Sequence, residues 1–322
     1  MAAKYVIGVD LGGTKILTAL SDFEGNIKAK VLKDTEADKG REVVIDNIKY
    51  TVYKAIEEAG VEIEDVAGLG LGVPGPINIE AGVIQHTPNL DLDNVNIIDR
   101  LEGLDLPIFL ENDANAAALG EKYFGAGVNA DDLLYVTIST GIGGGIVIDG
   151  QVFHGCSAGA GEVGHMTIVP DSNHQCGCGN YGCWEAVASG TAIQNRAQEA
   201  IRAGKDSLMK EMVSKIDDIN GEIVTQAYQD GDELAQEIIT QIGDYLGIGF
   251  SNLINIFNPE IIVIGGGVSN AWSLFEEQVA ETIERRAMSS LAEDAELAIT
   301  ELGSEVGVYG ALATALVGLD LL

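Results

Sequence analysis

Short apolar runs alternate along this chain with segments in which apolar residues recur at every third or fourth position. A short apolar run bounded by turn residues is typical of a buried strand, and a recurrence near 3.6 positions is typical of a helix with one buried face. The spacing of Val44, Ile48, Val52 and Ile56, for example, predicts a helix over residues 41–59 that ends at Gly60.

The same criteria apply to the rest of the chain. Strands are predicted at residues 5–9, 16–20, 27–32, 66–73, 106–110, 134–138, 146–148 and 260–264. Helices are predicted at residues 41–59, 114–123, 190–203, 222–229, 233–257, 272–287 and 306–318. The opening pattern of strand, glycine turn and strand returns about 125 residues later, which indicates a duplicated domain core.

The balance of charge excludes several functions. The 322 residues include 50 Asp and Glu against 18 Lys and Arg, so the net charge is −32 at pH 7. Nucleic acids and anionic membranes both require a basic face, so neither is an expected partner. Such acidity predicts adaptation to strong salt, in which dense carboxylates stay hydrated and their repulsion is screened. The alternative is an ordinary acidic protein kept soluble by its charge.

The chain shows no targeting or membrane segment and an unusual grouping of cysteines. Its N-terminus enters a strand directly, without the apolar core and cleavage site of a signal peptide, and its apolar runs are shorter than the roughly 20 residues of a membrane span. Cys176, Cys178 and Cys183 occupy eight positions, too close together for a spread disulfide framework. We therefore expect a protein of the reducing cytoplasm with a metal site.

The spacing H-x10-C-x-C-x4-C from His165 to Cys183 offers one nitrogen and three sulfur ligands. This donor set and number are those of a closed, tetrahedral structural zinc site. His174 is a rival for the fourth position, and free thiols are the alternative to a metal. Cys156, outside this spacing, is predicted to be a small buried apolar residue.

Three glycine segments are candidates for nucleotide binding. The turn Asp10–Lys15 and the turn Ser139–Gly145 each separate two predicted strands, where glycines let backbone N–H groups approach phosphate oxygens. Gly265–Gly267 lies between a strand and a helix, where the backbone can pack against a flat ring. Plain hairpin turns and a compact strand-to-helix connection are the alternatives.

Two groups of polar residues are candidates for substrate chemistry. Glu111, Asn112 and Asp113 follow an apolar strand, so a carboxylate there could accept a hydroxyl proton, although Asn and Asp also cap helices. Glu162 and Glu185 flank the metal loop together with His165, and carboxylates in a rigid region suit the recognition of sugar hydroxyls. Solvated surface charge is the alternative for this second group.

Together these motifs resemble the ROK family of repressors, open reading frames and kinases, and most of all its glucokinases. The resemblance extends over nearly the whole chain. It rests on the segments Asp10–Lys15, Glu111–Asp113, Thr140–Gly145, Glu162–Met166, Cys176–Glu185 and Ala188–Thr191.

The resemblance implies an α/β protein of the actin-like ATPase fold, with two ribonuclease H-like domains around a central cleft. It implies a small first domain at residues 1–120 with 305–322, and a larger second domain with the zinc loop at 121–304. It also implies a cytoplasmic enzyme of carbohydrate metabolism that phosphorylates glucose at the 6-hydroxyl with MgATP, as in glycolysis. Homodimers are usual in the family.

The resemblance also implies roles for individual residues. The catalytic base is Asp113, and the sugar is bound by Gly75, Asn89, Asn112, Asp113, Glu162, His165 and Glu185. ATP is bound by Asp10, Gly12, Gly13, Thr14, Lys15, Thr140, Gly141, Gly265, Gly266 and Gly267, with Asp10 near Mg²⁺. Structural Zn²⁺ is bound by His165, Cys176, Cys178 and Cys183.

Other members of the family are the competing interpretations. ROK repressors carry a DNA-binding helix-turn-helix before the first glycine turn, whereas that turn begins here at residue 10. N-acetylmannosamine, fructose and allose kinases share most of the motifs, and the segments around Glu162 and Glu185 favour glucose among them. Polyphosphate-dependent glucokinases lack the cysteine loop, which favours ATP. A non-catalytic sugar sensor is expected to lose the base, yet Asp113 is present.

Overall fold

The computed structural model describes residues 3–87 and 89–322. Pro88, which precedes the predicted sugar-binding residue Asn89, lies outside the described residues. The strands are β1 Tyr5–Leu11, β2 Lys15–Asp22, β3 Ile27–Asp34, β4 Val66–Val73, β5 Ile77–Asn78, β6 Val83–Ile84, β7 Val95–Asn96, β8 Ile108–Asn112, β9 Leu133–Ile138, β10 Ile142–Ile148, β11 Gln151–Val152, β12 Ile261–Gly265 and β13 Glu296–Ile299. The helices are α1 Arg41–Ala59, α2 Ile97–Leu101, α3 Asp113–Phe124, α4 Trp184–Ala188, α5 Gly190–Arg202, α6 Met209–Met212, α7 Gly221–Gln229, α8 Glu233–Phe257, α9 Glu276–Arg286, α10 Ser289–Ala292 and α11 Val306–Gly318.

The first sheet has the strand order β3-β2-β1-β4-β8. β1 and β2 form an antiparallel hairpin that closes at the pair Leu11↔Ile16, and β3 continues antiparallel on β2. On the other side of β1, strands β4 and β8 run parallel to it. The register aligns Asp10 with Gly72, and Val73 with Asn112. Parallel strands end at the same edge of a sheet, so this register brings Asp10 and Asn112 to one edge.

Helices cover this sheet because its strands alternate in the direction of their side chains. In β1, Ile7 and Val9 belong to the apolar core that includes α1, whereas Val6 packs in a separate cluster with α11. Glycine permits the close approach of α11: a Cβ atom at Gly70 of β4 would lie 1.9 Å from the carbonyl oxygen of Ala311.

The second sheet has the strand order β11-β10-β9-β12-β13. When the five strands of each sheet are numbered in chain order, both sheets have the order 3-2-1-4-5. This shared order is the duplication that the sequence predicted. β10 begins at Ile142, so the predicted turn at 139–145 is wrong in its second half: Gly143–Gly145 are strand residues. The small sheet β5-β6-β7 and strand β13 were not predicted, because such short strands carry little periodicity.

Backbone proximity divides the chain into two compact units. The first comprises Met1–Tyr135, Gly145–Gly161 and Thr300–Leu322, and the second comprises Val136–Gly144 and Glu162–Ile299. These units assign residues 121–135, 145–161 and 300–304 to the first unit, whereas the predicted domain bounds place them in the second. Gly145 illustrates the reason, since a Cβ atom there would lie 2.4 Å from the carbonyl oxygen of Ala114 in α3.

Within the described ranges, none of the helices combines the length and the apolar character that a membrane crossing requires.

Candidate active site and metal centre

The first glycine turn is held by Thr35, a residue outside every predicted motif. Thr35, just after β3, is fully buried; its hydroxyl donates to the carbonyl oxygen of Gly12 at 2.7 Å, and its N–H donates to that of Thr14 at 2.8 Å. Gly13, Thr14 and Lys15 are exposed, so the turn presents its backbone outward. Such a turn can receive phosphate oxygens.

Asn89 lies beside this turn. A Cβ atom at Gly13 would lie 3.4 Å from the Cβ atom of Asn89. The structure therefore brings a predicted sugar-binding residue next to a predicted phosphate-binding residue, although about 75 positions separate them in the chain.

Asp10 and Asp113 interact at the sheet edge. Asp10 is partly buried in β1; burial first, and then the negative charge of Asp113, raise the pKa of Asp10 from 3.8 to about 6. Both causes act in the same direction because loss of water and a neighbouring anion each disfavour the carboxylate form. Two carboxylates at the end of parallel strands can bind a cation or take up a proton.

Asn112 has two roles at the junction of β8 and α3. Its Oδ1 accepts the N–H of Ala114 at 3.0 Å and that of Asn115 at 3.3 Å, so it caps α3. Its Nδ2 donates to the carbonyl oxygen of Gly75 at 3.2 Å. Capping is thus present, and it leaves the carboxylate of Asp113 exposed at the start of the helix.

The residue that precedes Asn112 and Asp113 is buried. Glu111 is 5% exposed, and its Oε2 lies 2.8 Å from Nε2 of His154. Glu111 was among the predicted candidates for substrate chemistry. His154 was not predicted, because it is 43 positions away in an irregular segment and carries no spacing signal.

The second glycine turn is fixed by the start of α5. The N–H of Gly190 donates to the carbonyl oxygen of Ser139, and the hydroxyl of Thr191 donates to that of Thr140, both at 2.8 Å. Gly266 has φ 84°, and a Cβ atom there would lie 2.5 Å from the carbonyl oxygen of Ile138. Only glycine fits this position without strain.

The second and third glycine segments border one cavity. It has a volume of about 640 Å³ and lies wholly within the second unit. Its lining includes Ser139, Thr140, Gly190, Thr191, Asn220, Gly267, Val268 and Phe275. This size and the mixture of backbone, hydroxyl and apolar groups suit a small organic ligand with a flat ring. Among the predicted nucleotide-binding glycines, Gly267 lines the cavity and Gly266 shapes the backbone beside it.

Glu185 links the second turn to the metal loop. Its Oε2 accepts the N–H of Ile142 at 3.0 Å, and a Cβ atom at Gly141 would lie 2.2 Å from the same oxygen. Its Oε1 accepts the thiol of Cys176 at 3.4 Å.

His165, Cys176, Cys178 and Cys183 form a cluster whose ligand atoms all lie within 4.8 Å of one another. The Sγ atoms of Cys178 and Cys183 are 3.7 Å apart, and Nδ1 of His165 is 3.5 Å from Sγ of Cys176. Zinc–sulfur bonds of about 2.3 Å at tetrahedral angles require a sulfur–sulfur separation of about 3.8 Å. The donor set and its spacing therefore fit structural zinc. His174, the rival ligand, is not a member of this cluster.

The two nitrogens of His165 point to different neighbours. Nδ1 lies at the thiols, whereas Nε2 is 3.7 Å from Oε2 of Glu162. A metal at the cluster would therefore leave Nε2 and the carboxylate of Glu162 side by side. Both side chains are exposed.

The prediction for Cys156 is wrong. The sequence predicts a buried apolar residue, whereas Cys156 is exposed. It follows Gly155, which has φ 68°, in an irregular segment that offers no sheet or helix face to bury it.

Comparison with known proteins identifies the class that these features define. Residues 6–317 match the family model described as ROK family. The chain therefore belongs to the ROK family, and it has the actin-like ATPase fold. The resemblance drawn from the motifs is confirmed.

Particular relatives include enzymes and regulators. The glucokinase of Halalkalibacterium halodurans is 37% identical over 311 residues, which cover 96% of this chain and 94% of the relative. A ROK family glucokinase from Streptomyces griseus, solved in complex with glucose and AMPPNP, has a TM-score of 0.80 at 32% identity, covering 97% of this chain and 99% of that one. The xylose repressor of Caldicellulosiruptor bescii is 33% identical over 312 residues, covering 96% of this chain and 77% of the repressor.

Proposed function

We propose that this protein is an ATP-dependent glucokinase that transfers the γ-phosphoryl group of ATP to the 6-hydroxyl of glucose, giving glucose 6-phosphate and ADP. The observation that carries the proposal is the exposed carboxylate of Asp113 at the start of α3, in a chain that aligns almost end to end with a glucokinase solved with glucose and AMPPNP. A sensor of sugar would not need this base.

The chemistry requires a base, an oriented hydroxyl and stabilised phosphates. As the 6-hydroxyl oxygen forms its bond to the γ-phosphorus, Asp113 accepts the hydroxyl proton, and the bond from phosphorus to the ADP oxygen breaks. In the first unit, Asn112 would hold the sugar with Gly75 and Asn89. In the second unit, Glu162, His165 and Glu185 would bind sugar hydroxyls, since carboxylates and an imidazole provide paired acceptors and donors.

ATP would use separate groups in each unit. In the second unit, the cavity beside Gly265–Gly267 would take the adenosine, and Thr140 and Gly141 would contact phosphate. In the first unit, the turn Gly12–Lys15 would receive phosphate oxygens through its backbone and the hydroxyl of Thr14. Asp10 would hold Mg²⁺, which supplies positive charge to the phosphates when bound.

We propose that His165, Cys176, Cys178 and Cys183 bind structural Zn²⁺. Without a cation, burial raises the pKa of the Cys176 thiol to about 12, and a metal ion is what makes a thiolate favourable in such a place. The bound ion would fix His165 and the start of α4, where Glu185 lies. Reduced thiols also favour a cytoplasmic location.

A sugar-responsive regulator is the second candidate, because a xylose repressor matches as much of this chain as the glucokinases do. The net charge of −32 opposes DNA binding. Xylose binding without turnover would favour the regulator.

The test is ADP release by the purified protein with MgATP in low and molar KCl, across glucose, mannose, fructose, allose, xylose, N-acetylglucosamine and N-acetylmannosamine. We expect glucose to give the highest kcat/KM by at least about tenfold, with higher activity and stability in molar KCl as an adaptation to salt would require. Another preferred sugar would overturn the choice of substrate, and no turnover with any sugar would overturn the kinase. A flat response to KCl would contradict the adaptation to salt.

Asp113→Asn is the matched variant for this assay. It preserves size and hydrogen bonding while removing the base, so we expect glucose binding to persist and kcat to fall by about 10³-fold. A variant that keeps a tenth of the kcat would refute the role of Asp113. Sedimentation of the same preparation tests the homodimer that the family resemblance predicts.

A further inference from the structure

His154 is a histidine that neither the glucokinase chemistry nor the metal cluster uses. It follows β11, and its side chain is 34% exposed. Nε2 of His154 lies 2.8 Å from Oε2 of Glu111, whose side chain is only 6% exposed. A histidine that reaches a buried carboxylate two positions before the base can influence that base without touching it.

The carboxylate of Glu111 is the centre of a small network. Its Oε1 accepts the N–H of Asn112 at 2.9 Å and Nδ2 of Asn115 at 3.2 Å, while its Oε2 pairs with His154. One contact holds the last residue of β8, and another holds the first turn of α3. The network thus fixes both sides of Asp113, because Asp113 is the residue that joins strand and helix.

Electrostatics explains why a hydrogen-bonding partner that can carry a positive charge suits this place. Buried carboxylates are costly unless they are paired, and Asp10 and Asp113 already place negative charge at this sheet edge. The hydrogen bond to Glu111 raises the pKa of His154, and this effect outweighs the burial that lowers it. Both partners and all three hydrogen bonds lie within the first unit.

We propose that His154 is a positioning residue for phosphoryl transfer: by pairing with Glu111, it holds Asn112 and the start of α3 so that Asp113 meets the sugar hydroxyl. This inference rests on the proposed function, since it takes Asp113 as the base. His154 acts through Glu111 and does not contact the sugar. Displacement of a catalytic group by about 1 Å can cost about 10²-fold in rate. Loss of the hydrogen bond between His154 and Glu111 should therefore lower the rate measurably.

The test compares variants that keep or remove the donor at the Nε2 position. His154→Gln can place its amide nitrogen near that position, whereas His154→Leu cannot donate. We expect His154→Leu to lower kcat/KM for glucose by about 30-fold and His154→Gln by only about threefold. Phe153→Ala changes the neighbouring side chain, which is 47% exposed, and should stay within about twofold of wild type.

A double-variant cycle distinguishes positioning from an independent effect. If His154 acts through Glu111, the pair His154→Leu with Glu111→Gln should be no worse than the more damaged single variant. If the fold losses in kcat/KM of the two single variants multiply in the double variant, the inference is overturned, because two residues in one network cannot act independently. An activity of His154→Leu within twofold of wild type would also overturn it.

Glucose affinity, measured by calorimetric titration without nucleotide, supplies a readout that does not depend on turnover. We expect the dissociation constant to rise about tenfold in His154→Leu, because Asn112 is displaced, and to recover in His154→Gln. Loss of melting temperature with unchanged glucose affinity and no recovery by Gln would show a merely structural residue and refute positioning. If His154→Leu fails to fold, His154→Asn replaces it, since its shorter side chain cannot reach Glu111.

Wild-type controls separate this inference from the proposed function. Failure of the wild type to phosphorylate any sugar refutes the kinase, and the affinity comparison, made with whichever sugar binds, then still decides whether His154 positions Asn112. If the wild type turns over normally and the activity of His154→Leu is unchanged, the positioning role alone is refuted.

Discussion

Asp10→Asn should stabilise the protein while it removes the carboxylate proposed to hold Mg²⁺. Burial and the charge of Asp113 raise the pKa of Asp10 from 3.8 to about 6, so the folded state holds this carboxylate in its charged form at a cost at neutral pH. Asparagine has nearly the same size and carries no charge. The substitution therefore isolates the electrostatic penalty from packing.

The sign and size follow from the two pKa values. An acid whose pKa is raised by folding adds no penalty below pH 3.8, and the penalty grows as the pH rises through about 6. At 1.36 kcal/mol for each pH unit, the wild type loses about 3 kcal/mol at pH 7.5 and about half of that at pH 5. We expect Asp10→Asn to recover most of this free energy of unfolding.

The assay is urea unfolding without nucleotide or magnesium, at pH 7.5 and pH 5, for wild type and Asp10→Asn. Asp46→Asn, on the exposed face of α1, is the control and should not change the midpoint at either pH. Mg²⁺ with AMPPNP should reduce the difference in unfolding free energy between Asp10→Asn and wild type, because only the wild type keeps the carboxylate for the cation. If this difference in unfolding free energy is the same at both pH values, or if Asp10→Asn is less stable than wild type, the electrostatic account is refuted.

Two further predictions concern packing and the metal. Gly70→Ala should destabilise the protein by about 3 kcal/mol in urea unfolding, since its Cβ atom would meet the Ala311 oxygen, whereas Gly103→Ala, with nothing within 4 Å, should be nearly neutral; equal effects would contradict this packing. Cys178→Ser should release zinc in metal analysis and weaken glucose binding about tenfold through His165, whereas the exposed Cys156→Ser should retain both, and a wild type without zinc would defeat the metal site.

Local patterns predicted the regular elements well. Helix α1 was predicted at 41–59 and α11 at 306–318, and both have these bounds. Strand β4 spans Val66–Val73 as expected. These elements are long and bury one face, or nearly all, of their residues, so burial is written into the apolar spacing itself.

Short or irregular segments were predicted less well. Strand β10 starts at Ile142, within the predicted glycine turn, because β10 lies between β9 and β11 in the sheet and this pairing extends the strand into the glycine segment. Cys156 is exposed because its segment has no face to bury it, whatever its intrinsic preference. In both cases the outcome depends on neighbours and not on the local sequence.

Local sequence was enough to identify the family, the duplicated pattern and a candidate metal cluster whose three cysteines lie within one short loop. Three contacts became visible only in the folded chain: Thr35 holds the first glycine turn, Asp10 interacts with Asp113, and His154 reaches Glu111 from 43 positions away. Periodicity and spacing report what neighbours in sequence do together, whereas the pairing of remote side chains follows from how strands are ordered and helices packed.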